Sequence, residues 1–348
     1  MDKQSSLSQK GEVTFRRKLY LQQVEGQNEF NDEYNATAIE EILKTRMVAT
    51  LEQISGLKQR GITISPYLEI GAERGRRSLI LENDLNSKGI IADLSFDMLK
   101  SANHYAKVFN KPNIPFRVCC DVNNLPFKTG SIPFVFCYDT LHHFPDPTPI
   151  VAEVHRVMTP GAHFFFGQEP FKKILHLDLY KSDKAYSEKY LKSSKLKKII
   201  NFFLAERVGN ENDFNVIENE KITIKKWKKI FSAFNDQAIK LVSLGKIETK
   251  IFGQKNYLKY LLNFLLGGNI SGTVKKPGST DKEIATLDNF LICPDCLKNK
   301  QEKQLEKRDN SWVCPHCQQK FPIFEGVTFL LENEKFKELY PEIYQKTL

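Results

Sequence analysis

The chain has 348 residues, 41% of them hydrophobic and 27% charged, and carries a formal net charge of +9 from 51 Lys and Arg against 42 Asp and Glu. This composition excludes disorder and predicts one main globular domain with small appendages. The basic balance suits an anionic partner such as RNA, a phosphorylated metabolite or an anionic membrane surface, or else only solvated lysines interleaved with acids. The segment MDKQSSLSQKGEVTFRRKLY has no apolar h-region, and no apolar stretch approaches the roughly 20 residues that span a bilayer. The expectation is therefore a cytoplasmic chain without a transmembrane segment. Of seven cysteines, four form two C-x-x-C pairs, which in a reducing compartment means metal rather than disulfides.

Along the chain, residues 1–62 are polar and read as a helical extension. Ile39, Ile42, Leu43, Met47, Leu51 and Ile54 fall at helical spacing between Ala36 and Leu57. Short apolar runs then alternate with helical stretches: Ser65 to Ile70, Gly89 to Asp93, Phe116 to Cys120, Phe134 to Tyr138 and Ala162 to Gly167, with helices starting near Arg76, Ser95 and Thr148. This alternation predicts an α/β domain over 63–266, with a Rossmann-like, doubly wound, mostly parallel sheet. A Lys-rich helical insertion is expected at 171–235, with KYLKSSKLKKIINFFL and ITIKKWKKIFSAF as its amphipathic pieces, and Ala238 to Phe252 as two closing strands. The apolar run Tyr257 to Leu266 reads as a core or docking helix, or as an interfacial one. Gly, Ser, Lys and Pro mark 267–286 as a linker, 287–335 as a separate four-cysteine module and 336–348 as a tail.

The first strand ends in YLEIGAERG, a strand-to-helix turn with Gly71 and Gly75 flanking it. Such a turn either only reverses the chain or lets a ligand approach the free N–H groups of the next helix. Asp93 and Asp121 close the second and third strands at the same carboxyl edge, where ligands of open parallel sheets bind. Carboxylates there can accept the ribose hydroxyls and the exocyclic amine of an adenosine.

With IIADLSFDMLKSA and the run from CDVNNLPF through LHHF to RVMTPGAHFFF, this text resembles the class I methyltransferase domain of the type 11 group. The resemblance implies S-adenosylmethionine as cofactor. Glu69 would orient its methionine end, the loop Gly71, Ala72, Glu73 and Gly75 would wrap it, Asp93 and Leu94 would hold the ribose, and Asp121 and Val122 would flank the adenine. Tyr138 completes the expected set. Glu73 stands where the family usually has a third glycine.

Methyl transfer is an in-line displacement that needs alignment and, for an OH or NH acceptor, removal of a proton. Asp139, His142 and His143, just past the fourth strand, are the catalytic candidates; the alternative is that they cap the sheet edge. The Asn/Asp-Pro-Pro-Tyr/Phe block of amino-methylating nucleic-acid enzymes is absent from this position. Cys293, Cys296, Cys314 and Cys317 have the spacing of a closed, structural zinc site. The text around them resembles the small zinc-ribbon activator of tRNA, rRNA and release-factor methyltransferases.

The function expected is methyl transfer to an N or O atom of a small metabolite, glycan or lipid-linked precursor. The alternatives are an RNA methyltransferase using Lys192, Lys195, Lys197, Lys198, Lys225, Lys226, Lys228 and Lys229, or a zinc-stabilised scaffold with a degenerate loop. The acceptor and the oligomeric state are not legible in the sequence.

Overall fold

The computed structural model describes residues 3–24, 36–172, 194, 214–217, 219–253, 256–279 and 287–347. The helix expected at KYLKSSKLKKIINFFL, with Lys192, Lys195, Lys197 and Lys198, lies outside the described residues. Among the described residues the order is α1 (Lys3–Val24), α2 (Ala36–Gln59), β1 (Tyr67–Ile70), α3 (Arg76–Asn83), β2 (Gly89–Asp93), α4 (Phe96–Val108), β3 (Phe116–Cys119), β4 (Ile132–Tyr138), α5 (Thr148–Val157) and β5 (Met158–Phe171). Then follow α6 (Ile224–Ile230), β6 (Asn235–Ser243), β7 (Ile247–Lys250), α7 (Tyr257–Leu266), β8 (Gly268–Lys275), α8 (Pro294–Lys298), β9 (Glu306–Arg308), β10 (Ser311–Val313), β11 (Lys320–Phe324), β12 (Val327–Phe329), α9 (Asn333–Leu339) and α10 (Pro341–Thr347). The chain divides into two compact units. The larger comprises Glu12–Cys137, Pro149–Phe164 and Lys275–Leu348, and the smaller Met1–Gly11, Tyr138–Thr148 and Phe165–Val274.

The larger unit is built on the strand order β5-β4-β1-β2-β3-β12-β11-β10-β9, with β5 contributing up to Phe164. β1 pairs in parallel with β2 and β4, and β2 with β3, in registers such as Leu68 against Ile90 and Val135, and Asp93 against Cys119. Strands buried on both faces need continuous apolar text, and YLEI and IPFVFCY are buried at every position. Because β4 returns to the other side of β1, the strand order reverses there, which puts the switch point at the carboxyl end of β1.

The C-terminal residues do not stand apart as a separate module. β12 pairs in parallel with β3, Thr328 against Val118, and β11, β10 and β9 continue outward antiparallel. Phe329 joins Phe96 of α4 (ring centroids 5.2 Å apart) and Phe336 of α9 (4.8 Å) in one buried cluster with Val13, Ala72, Leu99 and Tyr340. The expected tail 336–348 is thus corrected: Phe336, Leu339, Tyr340, Ile343 and Tyr344 form a helical stripe on that cluster, a period that Pro341 interrupts in the text. The outermost strand, β9, is Glu-Lys-Arg and fully exposed, a charged edge that discourages further strand addition.

The smaller unit has the strand order β7-β6-β8-β5, with β5 entering at Phe165. The pair expected at Ala238 to Phe252 is the antiparallel hairpin β6–β7. The expected linker from 267 is corrected as well, because Gly268–Lys275 is strand β8. Ile270, Gly272 and Val274 are buried there, and glycine at 272 admits the Ala238 carbonyl to within 2.8 Å of where a Cβ would lie. Loop-like composition conceals a strand when its inward positions include a glycine forced by close approach.

Phe329→Ala is expected to lower the unfolding free energy of the full chain by about 3–5 kcal/mol, because it empties a cluster shared by β12, α4 and α9. Denaturant unfolding measures it; a loss under about 1 kcal/mol would mean that β12 and α4 share no core.

Candidate functional site

In the larger unit, three acids stand at the carboxyl ends of adjacent strands. Glu69 on β1 is buried and accepts a hydrogen bond from Ser78 Oγ at 2.5 Å. Burial pushes its carboxyl up to about 7, against the opposing pull of Arg77. The loop after it turns through three left-handed residues, Gly71 (φ 61°), Glu73 (φ 52°) and Gly75 (φ 63°). A Cβ on Gly75 would lie 2.7 Å from Ile91 Cδ1, so both its conformation and its packing require glycine.

Glu73 is accommodated by arginines. Its carboxylate meets Arg16 of α1 at 2.7 Å, Arg74 at 3.0 Å and Arg76 at 3.0 Å, while Arg16 also binds Glu12 at 2.7 Å. Burial alone would raise the Glu73 carboxyl, but Arg74, Arg16 and Arg76 hold it far below the ordinary carboxylate range. The side chain is therefore spent on the guanidinium groups, and only its backbone N–H turns to the next strand end, donating to Asp93 Oδ2 at 2.8 Å.

Asp93 Oδ1 accepts from Ser95 N–H at 2.8 Å. Each carboxylate oxygen offers two lone pairs, so two acceptor positions remain, the number that two vicinal ribose hydroxyls need. Burial pushes this carboxyl up to about 6. The Leu94 carbonyl accepts from Tyr340 Oη at 2.6 Å, and the same hydroxyl accepts from Phe96 N–H at 3.0 Å. Asp121 is buried beside Val122, accepts from Asn123 N–H (2.9 Å) and Nδ2 (2.8 Å), and is ion-paired with Lys335 of α9. The structure thus brings Glu69, Ala72, Glu73, Asp93, Leu94 and Asp121 to one sheet edge. It adds Arg16, Lys335 and Tyr340, which sequence reasoning missed because each arrives from far along the chain with no spacing to mark it.

The same unit holds the four cysteines. Cys293 Sγ lies 3.6 Å from Cys317 Sγ, and Cys296 Sγ lies 3.8 Å from Cys314 Sγ; all four sulfurs are within 4.8 Å of one another. A tetrahedral zinc with Zn–S bonds of about 2.3 Å separates its sulfurs by about 3.8 Å, so the donor set fits that ion. Burial raises Cys293 and lifts Cys296 to about 11, so these two would bind a metal only by releasing protons to it. Cys119 on β3, Cys120 just after it and Cys137 on β4 are buried.

The smaller unit carries the expected catalytic candidates. Tyr138 is buried against Phe165, and Gly167 lies so close that a Cβ would be 2.5 Å from the Tyr138 ring. Asp139 is left-handed (φ 55°), and its side chain is 61% exposed. Its contact with His142 Nδ1 is long, at 4.0 Å. The close partner of His142 is Glu169, fully buried on β5. Its carboxylate accepts Nδ1–H of His142 at 3.0 Å and the backbone N–H groups of Thr140 (2.8 Å), Leu141 (2.9 Å) and His142 (3.1 Å). With Nδ1 so committed, the proton-accepting nitrogen of His142 is Nε2. His143 Nδ1 instead lies 3.2 Å from the Ile217 carbonyl. Glu169 was legible only as the acid in GQEP, with nothing to tie it to the histidines.

Residues 68–166 match the methyltransferase domain family. An uncharacterized chloroplastic methyltransferase of Arabidopsis thaliana is 35% identical over 91 residues, 25% of this chain and 25% of that protein. A second from the same plant is 38% identical over 81 residues, 22% of this chain and 23% of that one. The chain thus spans about a quarter of the length of the curated relatives it matches. Among solved structures, phosphoethanolamine N-methyltransferase 2 of Haemonchus contortus, in complex with phosphomonomethylethanolamine and S-adenosylhomocysteine, has a TM-score of 0.41 and 15% identity, covering 65% of this chain and 52% of that one.

Glu73→Ala is expected to destabilise the chain by about 2–3 kcal/mol, because it removes the counter-charge shared by three guanidinium groups. Thermal or denaturant unfolding reads this out; an unchanged or higher stability would mean that relief of the left-handed backbone outweighs the ion pairs.

Proposed function

We propose that the chain is an S-adenosylmethionine-dependent methyltransferase with a structural zinc in its C-terminal module. The observation that carries this reading is the Asp93 carboxylate. It is held by Ser95 N–H and by the N–H of the residue replacing the family's middle glycine, with two lone pairs left, inside the stretch that matches the methyltransferase domain. The cofactor, when bound, supplies an electrophilic methyl group on a sulfonium. Asp93 accepts its ribose hydroxyls, Asp121 and Val122 flank its adenine, and Glu69 orients the glycine loop. Among the catalytic candidates of the smaller unit, His142 is the one oriented through Nδ1 by a buried acid, Glu169, and is our choice of general base.

For the acceptor we favour an N or O atom of a small metabolite, glycan or lipid-linked precursor. Two of the α6 lysines offered for RNA are already engaged: Lys226 pairs with Asp146 at 3.0 Å, and Lys228 sits over the Phe252 ring. We place the chain in a reducing compartment because its two C-x-x-C pairs gather as a metal-ligand set rather than as disulfides.

Titration calorimetry with S-adenosylmethionine tests the reading. The expected result is saturable heat that Asp93→Ala weakens at least tenfold, because the ribose hydroxyls lose their acceptor. Absence of heat at millimolar ligand would instead favour the scaffold. Affinity should fall as pH drops through about 6, where the buried Asp93 takes up a proton and loses acceptor capacity; a flat profile from pH 8 to 5 would remove Asp93 from the pocket. Cys296→Ser should lower bound zinc below one equivalent and reduce the melting temperature of the whole chain, since the cysteine module shares a core with α4.

A further inference from the structure

The smaller unit carries an apolar surface that the proposed chemistry does not use. Asn263 fixes which side of α7 faces inward: it is buried, its Nδ2 donates to the Ile247 carbonyl at 3.1 Å, and its Oδ1 accepts from Ser243 Oγ at 2.6 Å. At about 100° per residue, Tyr257, Leu258, Leu261 and Phe264 fall on the opposite side. They are 82%, 68%, 52% and 43% exposed. Leu244, in the turn between β6 and β7, is a further exposed apolar side chain of the same unit, at 69%. The contrast with α6 is direct: similar spacing there buries Ile224, Trp227 and Ile230 as ordinary core.

The stretch that carries this face is rich in lysine. α7 itself contains Lys259 and no acid, and Lys246 is exposed in the adjoining turn. From 219 to 266 the sequence has ten lysines against three acids, of which Glu248 is already paired with Lys240. Leucine and aromatic side chains on one face of a short helix, within a lysine-rich stretch, fit the boundary between acyl chains and anionic headgroups. At ten residues the helix is too short to cross a bilayer, and no helix among the described residues is long and apolar enough to do so.

We propose that this face of α7 docks the protein on an anionic lipid surface. The proposal is independent of methyl transfer, because it rests on the exposed face and its charge alone. The test is co-sedimentation of the full chain with vesicles of phosphatidylglycerol and phosphatidylcholine in equal parts, without S-adenosylmethionine. Binding is expected, at least tenfold weaker to phosphatidylcholine alone and weakening as salt rises. The double variant Leu261→Ser, Phe264→Ser should lose at least tenfold of the binding and keep the wild-type melting temperature, since both side chains already face outward. Three results would overturn the proposal: no sedimentation with anionic vesicles; undiminished binding by the double variant; or failure to bind together with a fall in its melting temperature or loss of a dimer, either of which would give the face to this chain's own residues or to a second copy.

Discussion

A parallel strand at the edge of a sheet presents a row of unpaired N–H and C=O groups, and in this protein that row belongs to β3. β12 satisfies it, residue for residue, from Val327 against Arg117 to Phe329 against Cys119. Much of the larger unit follows from this pairing. It draws the four cysteines into the same body as the glycine loop and brings Phe329 onto Phe96. It also carries α9 to where Lys335 reaches Asp121 and Tyr340 reaches the backbone after β2. The cysteine module therefore contributes to the edge at which a nucleoside would sit, and it does so through the backbone ladder rather than through a detachable contact.

The second constraint is electrostatic. Replacing a glycine by glutamate in a left-handed position costs about 1–2 kcal/mol of backbone strain. Here the cost is offset by a compact cluster in which one carboxylate answers Arg16, Arg74 and Arg76, with the Tyr105 ring 5.7 Å from two of the guanidinium groups. Because the side chain is committed to these partners, the loop keeps its N–H directed at Asp93 despite the departure from the family's pattern.

What the sequence made legible was local. The apolar runs marked β1 to β4, since strands buried on both faces leave continuous hydrophobic text, and two knuckles of fixed spacing were enough to predict that the four cysteines meet. The partnerships were not legible. Arg16 lies in FRRKL, where nothing distinguishes it from Arg17, which instead pairs with the exposed Glu342. Lys335 and Asp121 are 214 positions apart, and Glu169 gathers the turn after β4 from 27 to 29 positions away. β8 and the helices beyond Leu331 were misread for one reason: Gly272 and Pro341 disguise periods that the packing restores.

The hydroxyl of Tyr340 bridges Leu94 and Phe96, 246 and 244 positions away. During synthesis from the N-terminus, the strands carrying the glycine loop and Asp93 therefore emerge from the ribosome long before the residues that complete their edge. Until β12 and then Tyr340 have been translated, the nascent domain has an open flank at β3 and an uncovered Phe96, the kind of surface that chaperones hold. A chain stalled or cleaved ahead of the cysteines would therefore have the glycine loop but not the flank that supports it.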